Sequence, residues 1–143
     1  MQKKTLAFVE ISAIVLIIII LILISLFALL RSKERADDAK KLDHIKEIQS
    51  ALALYYHDNN DYPKTLTSGE PLVYDNKIYL KLVPSSPVSR GVCAPYSYKY
   101  ERQSLADGNT SYTLEYCLSQ TSADIEQGIN TATPRGISSR KIK

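Results

Sequence analysis

The sequence predicts an α+β protein, in which a long N-terminal helix, apolar all round in its first half and amphipathic in its second, packs on a small antiparallel β-sheet. Three observations lead there. Leu6 to Leu30 is an apolar run whose one carboxylate, Glu10, stands near its start. Leu42, Ile45, Ile48, Leu52 and Tyr55 then recur at spacings of three and four, the period of one helical face. Further on, two Tyr-rich stretches alternate at period two, as half-buried strands do.

The apolar run comes first. From Ile11 to Leu30 there is no charge, Gly or Pro, and only Ser12 and Ser25 carry hydroxyls. A hydrocarbon layer ~30 Å thick needs roughly 20 apolar residues in a helix, so the run fits a membrane span. A buried soluble helix of that kind needs a large protein around it, and 143 residues leave room for one small domain. The run exceeds the ~7–15 apolar residues of a secretory signal, and no small-residue cleavage site follows it. Arg31 to Arg35 continue instead in helix-forming composition.

No Gly or Pro interrupts the pattern before Pro63, which gives one helix from about Leu6 to about His57, roughly 78 Å at 1.5 Å per residue. Lys33–Asp37 and Asp37–Lys41 read as supporting i,i+4 pairs on its polar side. Turn formers from His57 to Asp61, then Pro63, end it. Residues 64–90, with Pro71, Pro84 and Pro87, read as irregular, with a short helical turn or edge segment near Tyr79–Val83 that covers the core.

Strands are expected at Tyr96–Tyr100 and Tyr112–Leu118, joined through the turn formers Asp107-Gly108-Asn109, with a third near Ile129–Thr133. Ten Tyr with no Trp suit a thin core close to water. Cys93 and Cys117 fall near one end of that hairpin and read as a disulfide, two reduced core thiols being the alternative. The Lys and Arg count around the run places the C-terminal domain in the cytoplasm, whereas a disulfide places it outside. The residues leave this open.

Chemistry-bearing groups are few. An ionised carboxylate in hydrocarbon is costly and generally has a partner and a role, which singles out Glu10; a carboxylate reaching headgroups and water is the alternative. His57 with Asp58 and Asp61 lacks a second His or Cys nearby and reads as a solvated helix end. His44 reads as surface. Asp58, Asn60 and Tyr62 miss the spacing of a calcium-binding helix–loop–helix. There is no nucleophile–base arrangement and no phosphate-binding glycine loop, so neither an enzyme nor a metal centre is expected. A net charge of +3 is too weak to argue for nucleic acid.

Several stretches carry a family likeness: Leu6-Ala7-Phe8-Val9-Glu10, Arg35-Ala36-Asp37-Asp38-Ala39-Lys40-Lys41-Leu42, Leu54-Tyr55-Tyr56, Asn60-Asp61-Tyr62-Pro63, Val83-Pro84 and Tyr96 to Tyr100. With the order of leader, span, amphipathic helix and Tyr-rich sheet, the chain resembles the type IV pilins, most of all the major pseudopilins of type II secretion. The resemblance implies a pilin-like fold. It divides the chain into a leader (1–5), the transmembrane half of the helix (6–30), its amphipathic half (31–57), and the loops, sheet and tail (58–143).

It further implies that a prepilin peptidase cuts between Thr5 and Leu6 and methylates the new amine. Glu10, at the fifth mature position, would then pair with such an amine during assembly into a filament with other pilin-like subunits. The C-terminal domain would lie outside the cytoplasmic membrane, and the filament in the periplasm or beyond the cell. No cofactor is expected except calcium, which major pseudopilins often hold in a loop near the last strands; Asp107, Asn109, Asp124 and Glu126 are the available ligands. Thr5 stands where the family has Gly, Leu6 where it commonly has Phe, and the span lacks the Gly and Pro of many pilins. The alternative is therefore an uncleaved, membrane-anchored pilin-like protein whose outer domain binds a partner.

Overall fold

The computed structural model describes residues 2–88, 91–106, 108–122 and 125–139, and the side chains of residues 2–9, 30, 91 and 139 lie outside the described ones. Helix α1 runs Gln2–Asn59. The chain divides into two compact units, residues 1–33 and 34–143.

The first unit is helix alone. Its large apolar residues from Ile11 to Leu29 are all about half exposed, on every side. A helix of that kind is stable only where something other than water surrounds it.

The second unit carries the amphipathic part of α1 and two antiparallel sheets. Strands β1 (Leu72–Tyr74) and β2 (Lys77–Leu80) form a hairpin. Strands β3 (Lys99–Ser104), β4 (Thr110–Leu118), β5 (Gly128–Thr133) and β6 (Gly136–Ser139) form a four-stranded meander in sequence order. This is an α+β, pilin-like arrangement.

The core follows from two periodicities meeting. Ile45, Ile48, Leu52 and Tyr55 present one helical face. On β4, Tyr112, Leu114, Tyr116 and Leu118 alternate inward, and Ala132 of β5 stands opposite Leu114. These residues form one buried cluster. Each large side chain buried there contributes about 1.5–3 kcal/mol relative to exposure. Two phenols lie within it: burial pushes the Tyr112 and Tyr116 hydroxyls up to about 12. Tyr100 donates from its hydroxyl to the Pro63 carbonyl at 2.7 Å.

Four expectations need correction. Residues 72–80, read as irregular, form a hairpin, and of the helical turn or edge segment expected near Tyr79–Val83 it is the edge segment that forms, as β2, because Asp75 and Asn76 both take left-handed backbone angles (φ 46° and 61°) and close a two-residue turn. Leu72, Leu80 and Val83 do cover the core. The first Tyr-rich strand lies later than 96–100: β3 starts at Lys99, opposite Glu115. Past that pair, Cys117 is bridged to Cys93 and its carbonyl accepts from Lys41, so the ladder with β3 stops there. Third, a further strand, β6, pairs with β5 across Pro134–Arg135. Finally, His44 is half-buried, its Nδ1 3.2 Å from the Tyr98 hydroxyl, rather than free on the surface.

Local polar ties fix the ends. Asn60 adopts the left-handed conformation that closes α1 (φ 51°), and its N–H donates to the Tyr56 carbonyl at 2.8 Å. Arg102 of β3 grips Asp61 with two donors, Nε to Oδ1 at 3.0 Å and Nη2 to Oδ2 at 2.8 Å.

Cys93 and Cys117 form a disulfide with a Cα–Cα distance of 5.6 Å and a sequence separation of 24. It ties the 3₁₀ turn Gly91–Cys93 to the end of β4. Closing a loop of that length stabilises by about 3 kcal/mol in the chain-entropy model. Cys93→Ser is therefore expected to lower unfolding stability by about that amount, measured by denaturant titration. Identical curves for wild type and variant under oxidising conditions would contradict this.

Candidate functional site

Two parts of α1 carry chemistry, one in each unit. In the first unit, Glu10 is the sole carboxylate of a segment otherwise made of Ile, Leu, Val, Ala, Phe and Ser. Its side chain is exposed, and among the described residues none forms an ion pair with it. Thr5 and Leu6 fall in α1, but their side chains lie outside the described residues. The Ser25 hydroxyl of this segment donates to the Leu21 carbonyl at 2.8 Å. Arg31 closes the segment with its guanidinium 4.9 Å from the centre of the Phe27 ring. Such a helix is long and apolar enough to cross a membrane. Its surface can pack against lipid or against other apolar helices, and its carboxylate calls for a cation wherever water is excluded.

In the second unit, the amphipathic part of α1 is anchored by a buried charge cluster. Asp38 and Lys41 are 2% and 1% exposed, and the Lys41 Nζ donates to Asp38 Oδ1 at 3.0 Å. The same ammonium donates to the Cys117 carbonyl at 3.0 Å. The carboxylate also accepts two backbone N–H groups, from Ser119 at 3.0 Å and Gln120 at 2.8 Å. Gln120 in turn bonds Glu34 at 2.9 Å and accepts from Arg35 at 3.1 Å. Two ions are thus taken out of water together, with further hydrogen bonds that satisfy both.

Sequence reasoning missed this cluster, assigning Lys41 to an exposed pair with Asp37. A signal was present. Asp38, Lys41, Ile45, Ile48, Leu52 and Tyr55 are spaced three, four, three, four and three apart, so the two charges continue the apolar stripe.

The acidic group at the end of α1 serves structure. Asp58 accepts from Lys77 of β2 and from the Tyr79 hydroxyl, and lies 3.2 Å from the His57 Nδ1. The Lys77 ammonium first, then His57 and Tyr79, hold its carboxyl at about 2, below the usual carboxylate range. Asp61 is taken by Arg102. Among the described residues, no group of three His, Cys, Asp or Glu is placed to hold a metal ion. Of the suggested calcium ligands, Asp107 and Asp124 lie outside the described residues.

The chain is similar to type II secretion system core protein G of several bacteria. With the Aeromonas hydrophila protein it shares 34% identity over 101 residues, covering 61% of this chain and 71% of that one. With the Escherichia coli K12 protein it shares 33% over 97 residues, covering 60% and 67%. With the Vibrio cholerae O1 protein it shares 33% over 98 residues, covering 61% and 67%. No family model and no solved structure matches the chain.

The buried cluster makes a double-mutant expectation. Asp38→Ala strands the Lys41 ammonium and is expected to cost about 3–5 kcal/mol of unfolding stability. Asp38→Leu combined with Lys41→Met removes both charges but leaves the Cys117 carbonyl and the Ser119 and Gln120 N–H groups without these partners, so it is expected to be destabilised by less than the sum of the two single variants and still to fall below wild type. Denaturant titrations of the single and double variants check it, and an additive double variant would contradict the pairing.

Proposed function

The chain belongs to the family of type II secretion system core protein G, the major pseudopilins, and we propose that it assembles into a pseudopilus through its apolar helix. One observation carries this reading. A helix exposed and apolar on every side, with one carboxylate near its start, is built to be enclosed by lipid first and by like helices afterwards. Helices packed without water between them hold together by close apolar contact, and a lone carboxylate among them fixes their register by finding its cation.

In this proposal a prepilin peptidase cuts between Thr5 and Leu6, and the new amine at Leu6 supplies the cation that Glu10 faces in a neighbouring subunit. Before assembly the apolar segment holds the chain in the cytoplasmic membrane, with residues 34–143 on the outer side. The disulfide supports that orientation, since such bridges persist in oxidising compartments. The partners are other pilin-like subunits. Nothing in this reading calls for catalysis, a cofactor or nucleic acid.

Thr5, in place of the family's Gly, supports a second reading, in which the leader stays on and the protein remains a membrane-anchored monomer whose outer domain binds a partner.

Glu10→Ala separates an assembly role from a folding role. The variant is expected to retain wild-type melting and its disulfide while losing filaments, scored by electron microscopy and by crosslinking of subunits in membranes. Normal filaments from Glu10→Ala would remove the carboxylate from the mechanism.

A further inference from the structure

Charges on α1 are sorted by sign just after the apolar segment. In the first unit, Ile11 to Leu30 carry no charge, and the two bases that follow, Arg31 and Lys33, are exposed. The Arg31 guanidinium lies 4.9 Å from the centre of the Phe27 ring, which holds the charge beside the apolar surface.

In the second unit, Arg35 and Lys40 are exposed, whereas the three acids of the same turns face inward. Glu34 and Asp37 are half-buried, and Asp38 is buried. Glu34 accepts from the Gln120 amide at 2.9 Å, and Asp38 is held by the Ser119 and Gln120 N–H groups and by Lys41. From Arg31 to Lys40 the exposed charges are therefore all positive. Among the described residues, none of these four bases is in an ion pair. Past Lys41 the sorting ends, since Asp43, Lys46 and Glu47 are all exposed.

The bases stand at a telling distance along the sequence. A hydrocarbon core of ~30 Å in a bilayer of ~40–45 Å leaves roughly 5–8 Å of headgroup layer on each side. At a helical rise of 1.5 Å per residue, the five positions after Leu30 take up about 8 Å. With Ile11 to Leu30 in hydrocarbon, Arg31, Lys33 and Arg35 fall at the level of the phosphates. Lys40, about 15 Å past Leu30, stands within about a Debye length of that layer. A second copy alongside at the same level would set base against base. A phosphate brings the missing sign, and it comes with the surroundings that the apolar segment already requires.

We propose that Arg31, Lys33, Arg35 and Lys40 bind the headgroups of acidic phospholipids in the leaflet where the apolar segment ends. The bases need no fixed arrangement relative to one another, because headgroups in a fluid layer meet each of them separately. The proposal rests on the reading of the apolar segment as membrane-resident before assembly, and it is independent of cleavage before Leu6.

The test places the full chain in nanodiscs of equal phosphatidylcholine and phosphatidylglycerol. Native mass spectrometry then counts the lipids that stay on the released chain. Wild type is expected to retain phosphatidylglycerol in roughly fivefold excess or more, and the excess is expected to shrink as ionic strength is raised. Neutralising all four bases to Gln is expected to bring the ratio to about one. Arg31→Gln with Lys33→Gln is expected to cut it several-fold, and this pair touches none of the hydrogen bonds above, so its loss is read without a folding defect. Lys64→Gln with Lys81→Gln removes two exposed bases elsewhere and is expected to leave the ratio unchanged. Equal retention of both lipids by wild type overturns the proposal, as does an excess that survives the loss of all four bases or disappears in the Lys64/Lys81 variant. A chain that does not enter the nanodiscs at all overturns the membrane reading as well, which keeps the two failures distinct.

Discussion

Near Lys33 the helix α1 changes what it requires of its surroundings. Before that point every side of it is apolar, and no arrangement of a chain this short covers such a surface from within. After it, one stripe is apolar and the opposite side charged, so a single sheet suffices to cover it. The two halves therefore find different partners. The second is satisfied by β4 and β5 of the same chain, while the first is left to lipid or to other helices. Only the first of these needs can be met by assembly, and this is why the functional reading rests there.

The second unit then has to hold an exposed-looking helix firmly on a thin sheet. Apolar burial does most of this, through Ile45, Ile48, Leu52 and the inward face of β4. It stops short at the start of the unit, where the stripe ends in Lys41 and Asp38 instead of aliphatic residues. A charge pair there costs desolvation that a Leu would not, and in exchange it bonds three backbone groups whose direction is fixed. At the other end, the Arg102–Asp61 pair and the Asp58–Lys77–Tyr79 group tie the close of α1 to β3 and β2. Directional polar ties at both ends and apolar packing between them give the docking one register.

Much of this was legible in the residues. The stripe from Ile45 to Tyr55 and the alternation from Tyr112 to Leu118 are strong because burial on one face leaves little freedom of period. Asp38 and Lys41 were not legible, since charged residues default to the surface and only their phase with the stripe betrays them. The β1–β2 hairpin was missed because its strands are short and its turn, Asp75–Asn76, lacks the Gly that usually marks such turns. The late start of β3 depends on what meets Cys117 in three dimensions, which no local pattern of Tyr96 to Tyr100 contains. At Glu10, residue chemistry alone suggested a role, and the family likeness implied what that role would be.

Cleavage before Leu6 would free the all-apolar half of α1 to become a filament core, and Thr5, standing where the family has Gly, is the residue most at odds with it. Mass spectrometry of the N-terminal peptide from the membrane fraction addresses this directly. A chain that begins at a methylated Leu6 is the expected result. A peptide that retains Met1 through Thr5 in the assembled or membrane-bound protein would contradict it.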